Sequence, residues 1–196
     1  MADGRLERGR STRARLVAAG REAFGECGYE GTSIAEILDR AGIARGALYH
    51  HFASKKELFD AVLEAAVAEM AEDVARSARG ADGPVATLRA ACRAWLDLAL
   101  DPALQRICLI DAPAVVGWTR WRELDEQHSL GALRATLRAI AETGQIPGER
   151  VDFFAHMIIA SVTEAALVVV RAEDQRAAHE EAIQAVDAML DGLLGA

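Results

Sequence analysis

The chain has 196 residues, 52% of them hydrophobic, with a formal net charge of −8. That length holds one ordinary domain or a small one with a larger one, and the apolar fraction is enough to bury a core. No apolar stretch reaches the ~18 residues needed for a membrane span, and the opening MADGRLERGRSTRAR lacks the apolar run of a secretory signal; a cytoplasmic protein with no membrane partner is expected.

The charge is unevenly distributed. Residues 1–21 hold six arginines and two acids, and residues 1–60 hold ten basic and nine acidic residues. The remainder carries twelve basic and twenty-one acidic side chains. A mildly basic head on an acidic body is compatible with a nucleic-acid partner, because the local field decides. Cys27, Cys92 and Cys108 are an odd, scattered set without a CxxC, which suits free thiols rather than a disulfide frame or zinc site.

Strong helix formers dominate, and no segment alternates convincingly at period two, so an all-α fold of about nine helices is expected. Leu16, Ala19, Ala23 and Phe24 mark one face of a first helix from about Ser11. Gly28 stops it, and Tyr29 folds back on its last turn. Ser33 with Glu36 is a capping box opening a short second helix to about Ala41. Gly42 turns the chain into a third helix over about 45–51. Ser54 with Glu57 caps a long fourth helix to about Ala78. Further helices are expected over 84–100, 102–110, 118–142, 149–172 and 175–194, with Pro113 among the separators.

Two short helices joined through a glycine turn form a helix-turn-helix pattern. Ile37, Ala41, Ile43, Leu48 and Phe52 lock the pair. Arg45, Gly46, Ala47, Tyr49 and His50 are left on the outer face of the third helix, where small residues permit close approach to a major groove and polar ones reach bases and phosphates. A tolerated helix glycine and a solvated polar face are the competing readings. Lys55, at the start of the fourth helix, and Thr32, before the second, are candidate phosphate contacts; an ordinary surface lysine and an ordinary cap are the alternatives. Adjacent His50 and His51 point about 100° apart on a helix with no third ligand near, so no metal is expected, and His51 reads as a packing residue. No cofactor is expected.

The run LVAAGREAFGECGYEGTSIAEILDRAGIARGALYHHFASKKELFDAVL resembles the DNA-binding domain of the TetR family of bacterial transcriptional regulators, over about residues 12–63. The resemblance implies a DNA-binding domain over residues 1–53, with a basic N-terminal arm, and an effector-binding and dimerisation domain over 54–196. It also implies DNA contacts from Thr32, Arg45, Gly46, Ala47, Tyr49, His50 and Lys55. Two residues depart from the family pattern: Leu38 replaces a small alanine, and Ala44 replaces the serine cap of the recognition helix. The segment DPALQRICLIDAPAVVGWTRWRELDEQHSLGALRATLRAIAETGQIP resembles the C-terminal domain of a subset of these regulators and names no ligand.

All three tryptophans lie in the acidic body. Trp95, Leu98, Ile110, Trp118, Trp121, Phe153 and Met157 are expected to line an apolar pocket, with Asp111 and His156 as polar anchors. Plain core packing and a self-satisfied polar network are the competing readings. The segment VDFFAHMIIASVTEAALVVV is apolar nearly all round, as in a helix buried on two sides, and the last helix carries a continuous apolar stripe. Val162, Ala165 and Val169, with Ile183, Val186, Met189, Leu190 and Leu193, are therefore expected at a homodimer interface. Two-fold symmetry would set the recognition helices about one DNA turn apart on a palindromic operator of double-stranded DNA.

The function expected is a sequence-specific transcriptional regulator, a repressor released from its operator by an apolar small-molecule effector. The enzyme alternative, with His156 as base, lacks a nucleophile–base–orienter set and leaves the DNA-binding head unexplained. A DNA-binding protein without effector is the third reading; operator binding insensitive to small molecules would favour it.

Overall fold

The computed structural model describes residues 3–195, and the side chains from Arg10 onward. The expected basic arm rests in part on Arg5 and Arg8, whose side chains lie outside the described residues. All regular structure among the described residues is helical. We number the helices α1 (Asp3–Gly31), α2 (Ile34–Ala41), α3 (Arg45–Tyr49), α4 (Lys55–Ser77), α5 (Pro84–Leu98), α6 (102–115), α7 (Trp118–Glu142), α8 (Val151–Arg171) and α9 (Gln175–Leu194).

The chain forms two compact units, one of the residues up to Ala66 with Pro102–Trp121, the other of Val67–Asp101 with the residues from Arg122 onward. Compactness therefore does not break at the expected boundary after residue 53. The first part of α4 belongs to one unit and the rest to the other.

In the first unit Leu16, Phe24, Ile37, Leu48, Phe52, Leu58, Phe59 and Val62 are buried. Helical order breaks at Gly28, whose φ of 74° suits glycine. That break lets Tyr29 turn back: its ring stacks on Phe24 at 5.9 Å and meets Phe59 edge-on at 5.2 Å. Both serine caps form, with Ser33 Oγ accepting from Glu36 N–H and Ser54 Oγ from Glu57 N–H, each at 3.1 Å. The return half of each box differs from the pattern. Glu57 reaches the N–H of Ala53 at 2.7 Å, and Glu36 pairs with Arg40 at 2.9 Å.

Pro113 does not separate two helices. Residues 102–115 are helical throughout, with a π-helical stretch over Gln105–Asp111 in which Ala112 N–H donates to Ile107 O. The wider turn brings Pro113 in near the start of the final turn, where the N–H it lacks is least missed. Helix α6 sits against α1 with no clearance at Gly25, where an added Cβ would lie 2.8 Å from Ala103 Cβ.

In the second unit α8 buries Val151, Ala155, Ile158, Ile159, Val162, Thr163, Ala166 and Val169. α9 buries Ala182, Val186, Leu190 and Leu194, and Arg89 of α5 pairs with Asp187 and Asp191 of α9. Val162, Val169, Val186 and Leu190 thus belong to the core of a single chain and are not free to face a partner, which corrects their expected place at a dimer interface. The other apolar side of α8 is uncovered: Phe153 is 75% exposed, Val168 55% and Met157 51%. By length and composition Gly148–Arg171 is apolar enough to cross a membrane, contrary to the expectation that no segment qualifies. Asp152, His156 and Glu164 interrupt it, and its buried face packs into a protein core.

Candidate nucleic-acid interface and effector cavity

The turn between α2 and α3 is held from both sides. Gly42 adopts φ 60°, ψ 40° and its N–H closes the end of α2 on Asp39 O and Leu38 O. From α1, the Arg15 guanidinium donates to Ala41 O at 2.6 Å. Ala44 caps α3 without a side-chain bond, so this short helix is positioned by burial of Leu48 and Phe52 and by the turn. Arg45, Gly46, Tyr49 and His50 are exposed, Tyr49 by 51%, while Ala47 and His51 are half-buried. A Cβ built on Gly46 would meet nothing within 4 Å. Nothing inside the chain therefore requires glycine there.

Two expected DNA contacts are turned inward. Thr32 is 2% exposed, and its hydroxyl donates to Gly28 O at 2.7 Å and Ala23 O at 3.0 Å. It ties the end of α1 to the start of α2. The Lys55 ammonium donates to Tyr29 O at 2.8 Å and Thr32 O at 3.1 Å, and lies 4.2 Å from the centre of the Tyr29 ring. Those two carbonyls take two of the three N–H donors of the cation that was expected to meet a phosphate, and tie it to the end of α1. The neighbouring Lys56, one position further into α4, is exposed.

The second unit contains a cavity of about 400 Å³ between α4, α5, α7 and α8. Its wall includes Ala71, Val74, Leu88, Ala91, Cys92, Trp95, His128, Ser129, Leu133, Ile158, Ile159 and Val162. Of the expected pocket residues Trp95 alone is there. Asp111 accepts from the Tyr29 N–H at 2.7 Å, and Trp121 donates its indole N–H to Cys108 O at 2.8 Å. Both act inside the first unit. Ile110, Trp118, Phe153 and Met157 are exposed. Leu98 lies beside a separate depression with Asp73 and Arg93, and His156 sits between Glu126 and Arg134. A readable signal for the true wall was the small-and-polar stripe His128, Ser129, Ala132, Thr136 at helical spacing on α7.

Burial pushes the Cys92 thiol up to about 12, so the cavity wall presents an inert thiol. Next to the cavity stripe, burial raises the Asp125 carboxyl to about 6; Arg122 opposes the shift and Glu126 adds to it.

Residues 16–62 match the model of bacterial regulatory proteins of the tetR family, and residues 85–193 match the tetracyclin repressor-like C-terminal domain. The chain belongs to the TetR family of transcriptional regulators. A TetR-family regulator from Pectobacterium atrosepticum is 34% identical, with 96% of each chain covered and a TM-score of 0.86. The transcriptional activator FasR of Mycolicibacterium smegmatis is 39% identical over 85 residues, which are 43% of this chain and 39% of FasR. The regulator TtgR of Pseudomonas putida is 34% identical over 104 residues, 52% of this chain and 49% of TtgR. The chain thus aligns with about two fifths to a half of the length of these two curated relatives. RolR, solved with resorcinol, shares the fold at a TM-score of 0.72 and 21% identity, with 96% of this chain and 95% of RolR covered.

Proposed function

We propose that this TetR-family regulator is a homodimeric repressor, acting in the cytoplasm, that leaves a palindromic operator when a small apolar effector enters the cavity of its second unit. The observation that carries the reading is the pairing, in one chain, of an outward α3 face with an internally unexplained Gly46 and a preformed apolar cavity. Arg45, Gly46, Ala47, Tyr49 and His50 make up the DNA-reading face. Residues 1–53 act as the DNA-binding domain and 54–196 as the effector and dimerisation domain.

The partner chain covers the apolar side of α8 at Phe153, Met157, Ala165 and Val168, together with Ile183, Met189 and Leu193 of α9. Two-fold pairing brings two recognition helices onto half-sites about 34–36 Å apart. Helix α4 supplies the coupling, since Leu58, Phe59 and Val62 belong to the head core while Ala71, Val74 and Ala75 line the cavity. A ligand that fits the cavity in only one α4 setting shifts the dimer away from the operator spacing by its differential affinity.

Selection of bound fragments from genomic DNA by the purified chain, followed by anisotropy titration with and without candidate effectors, tests the proposal. Saturable binding to a palindrome, reversed by a small molecule, is expected. Binding to all fragments alike with no small-molecule response would overturn it.

A further inference from the structure

The helix hydroxyls on the described cavity wall follow two patterns. Thr87 Oγ1 donates to Gly83 O at 2.9 Å and Thr136 Oγ1 to Ala132 O at 3.2 Å, the usual bond of a helical hydroxyl to the carbonyl one turn back. Ser129 Oγ does not follow it. It is buried without a hydrogen-bond partner in the chain, and so is His128 Nε2 on the adjacent residue. Both residues line the cavity. The rest of the wall is apolar apart from Arg79, which is exposed and keeps its charge in water.

Two unpaired polar atoms on consecutive residues of the wall, each able to donate or accept, are a costly arrangement unless something else completes them. We infer that His128 and Ser129 are the polar end of the effector site and that the cavity takes a neutral, compact, one- or two-ring molecule bearing a hydroxyl. A hydroxyl suits either atom because it can donate or accept. Trp95 and the aliphatic wall take the ring. An anionic ligand is disfavoured because Asp125 lies one turn before His128 and Ser129 on α7, and the nearby Arg122, 3.3 Å from Asp125, is already committed to that carboxylate. The inference rests on the effector reading above and gives it a ligand class.

The test uses the full chain and three probes of one ring system: 2-naphthol, naphthalene and 2-naphthoate, titrated calorimetrically at neutral pH. 2-Naphthol is expected to bind once per chain, with naphthalene and 2-naphthoate each roughly tenfold or more weaker. Ser129→Ala and His128→Leu, each checked for folding by circular dichroism, should each weaken 2-naphthol by roughly tenfold and leave naphthalene nearly unchanged. Ala91→Trp, which fills the cavity, should abolish binding. Equal or tighter 2-naphthoate binding, unchanged 2-naphthol binding in the folded Ser129→Ala variant, binding that survives Ala91→Trp, or no binding of any probe would overturn the inference. Operator titration in the same samples separates it from the regulatory reading. Naphthol binding at the cavity without operator release leaves the ligand class standing and removes the proposed mechanism. Release by the naphthoate alone does the reverse.

Discussion

The backbone N–H of Tyr29 donates to Asp111 Oδ2 at 2.7 Å, across 82 positions of sequence. The same residue's carbonyl takes the Lys55 ammonium, so one peptide segment after the Gly28 break is held by an acid from α6 and a base from α4. Deleting the acid leaves a partly buried N–H unpaired. Asp111→Ala should cost roughly 1–3 kcal/mol of stability in urea unfolding. An unchanged midpoint would mean that the Gly25–Ala103 contact holds α6 unaided.

Lys55 and Lys56 should separate cleanly. Lys55→Ala should lower stability, and should leave the salt dependence of operator binding unchanged if the cation serves only the Tyr29 and Thr32 carbonyls. If Lys56 meets a phosphate, Lys56→Ala should reduce the magnitude of the slope of log affinity against log salt by about one, with stability intact. Reversal of the two results would return Lys55 to the interface.

At the reading face, Arg45→Ala should relax preference at particular operator bases by ~1–3 kcal/mol if the guanidinium meets a base edge. A uniform loss across operator and random DNA would make it a backbone contact. Either result requires that the variant stay folded, which its exposure favours.

The exposed side of α8 carries the test of assembly. Phe153→Glu combined with Val168→Glu puts four like charges per dimer into the proposed seam, each costing several kcal/mol if buried unpaired. Sedimentation should show a folded monomer, with operator affinity lower by roughly 10²-fold because paired heads no longer share one effective concentration. Val186→Glu with Leu190→Glu should instead unfold the second unit. A folded dimer from the α8 variant would locate the interface elsewhere.

Asp125 gives a pH test with a definite sign. Its folded pKa, raised mainly by burial to about 6, lies above the unfolded value of about 4. The folded chain therefore binds this proton more tightly, and the stabilisation present below about pH 4 is lost as pH rises to about 6. Asp125→Asn removes that loss. Its stability relative to the natural chain should climb by roughly 1–3 kcal/mol between pH 4 and 6 and then level off. A flat difference would mean the carboxyl titrates normally.

The residues that were legible in advance are those whose role is local. Gly42, Ser33, Ser54 and the Leu48–Phe52 spacing act within a few positions of themselves, and the helix-turn-helix followed from them. The internal bonds of Lys55 and Thr32 to the carbonyls of Tyr29, Gly28 and Ala23 are not legible in the sequence, because they form only after the chain folds back at Gly28. On α9, periodicity located an apolar stripe at Val186 and Leu190 but not what covers it. The cavity was missed for a different reason. Tryptophans alone do not mark a cavity, which exists where side chains are short; Ala71, Ala75, Ala91 and Ala132 in its wall are the signal the sequence carries.

The two thiols Cys27 and Cys92 turn this architecture into a pair of clocks. Cys27 is exposed on α1, and Cys92 is buried in the cavity wall with its thiol held protonated. An alkylating reagent meets the first at the rate of its own chemistry. It meets the second only in the moments when the helices around the cavity part. The ratio of the two labelling rates on a single chain is therefore a measure of how often the cavity breathes, and a molecule lodged inside slows one hand of the clock and leaves the other running.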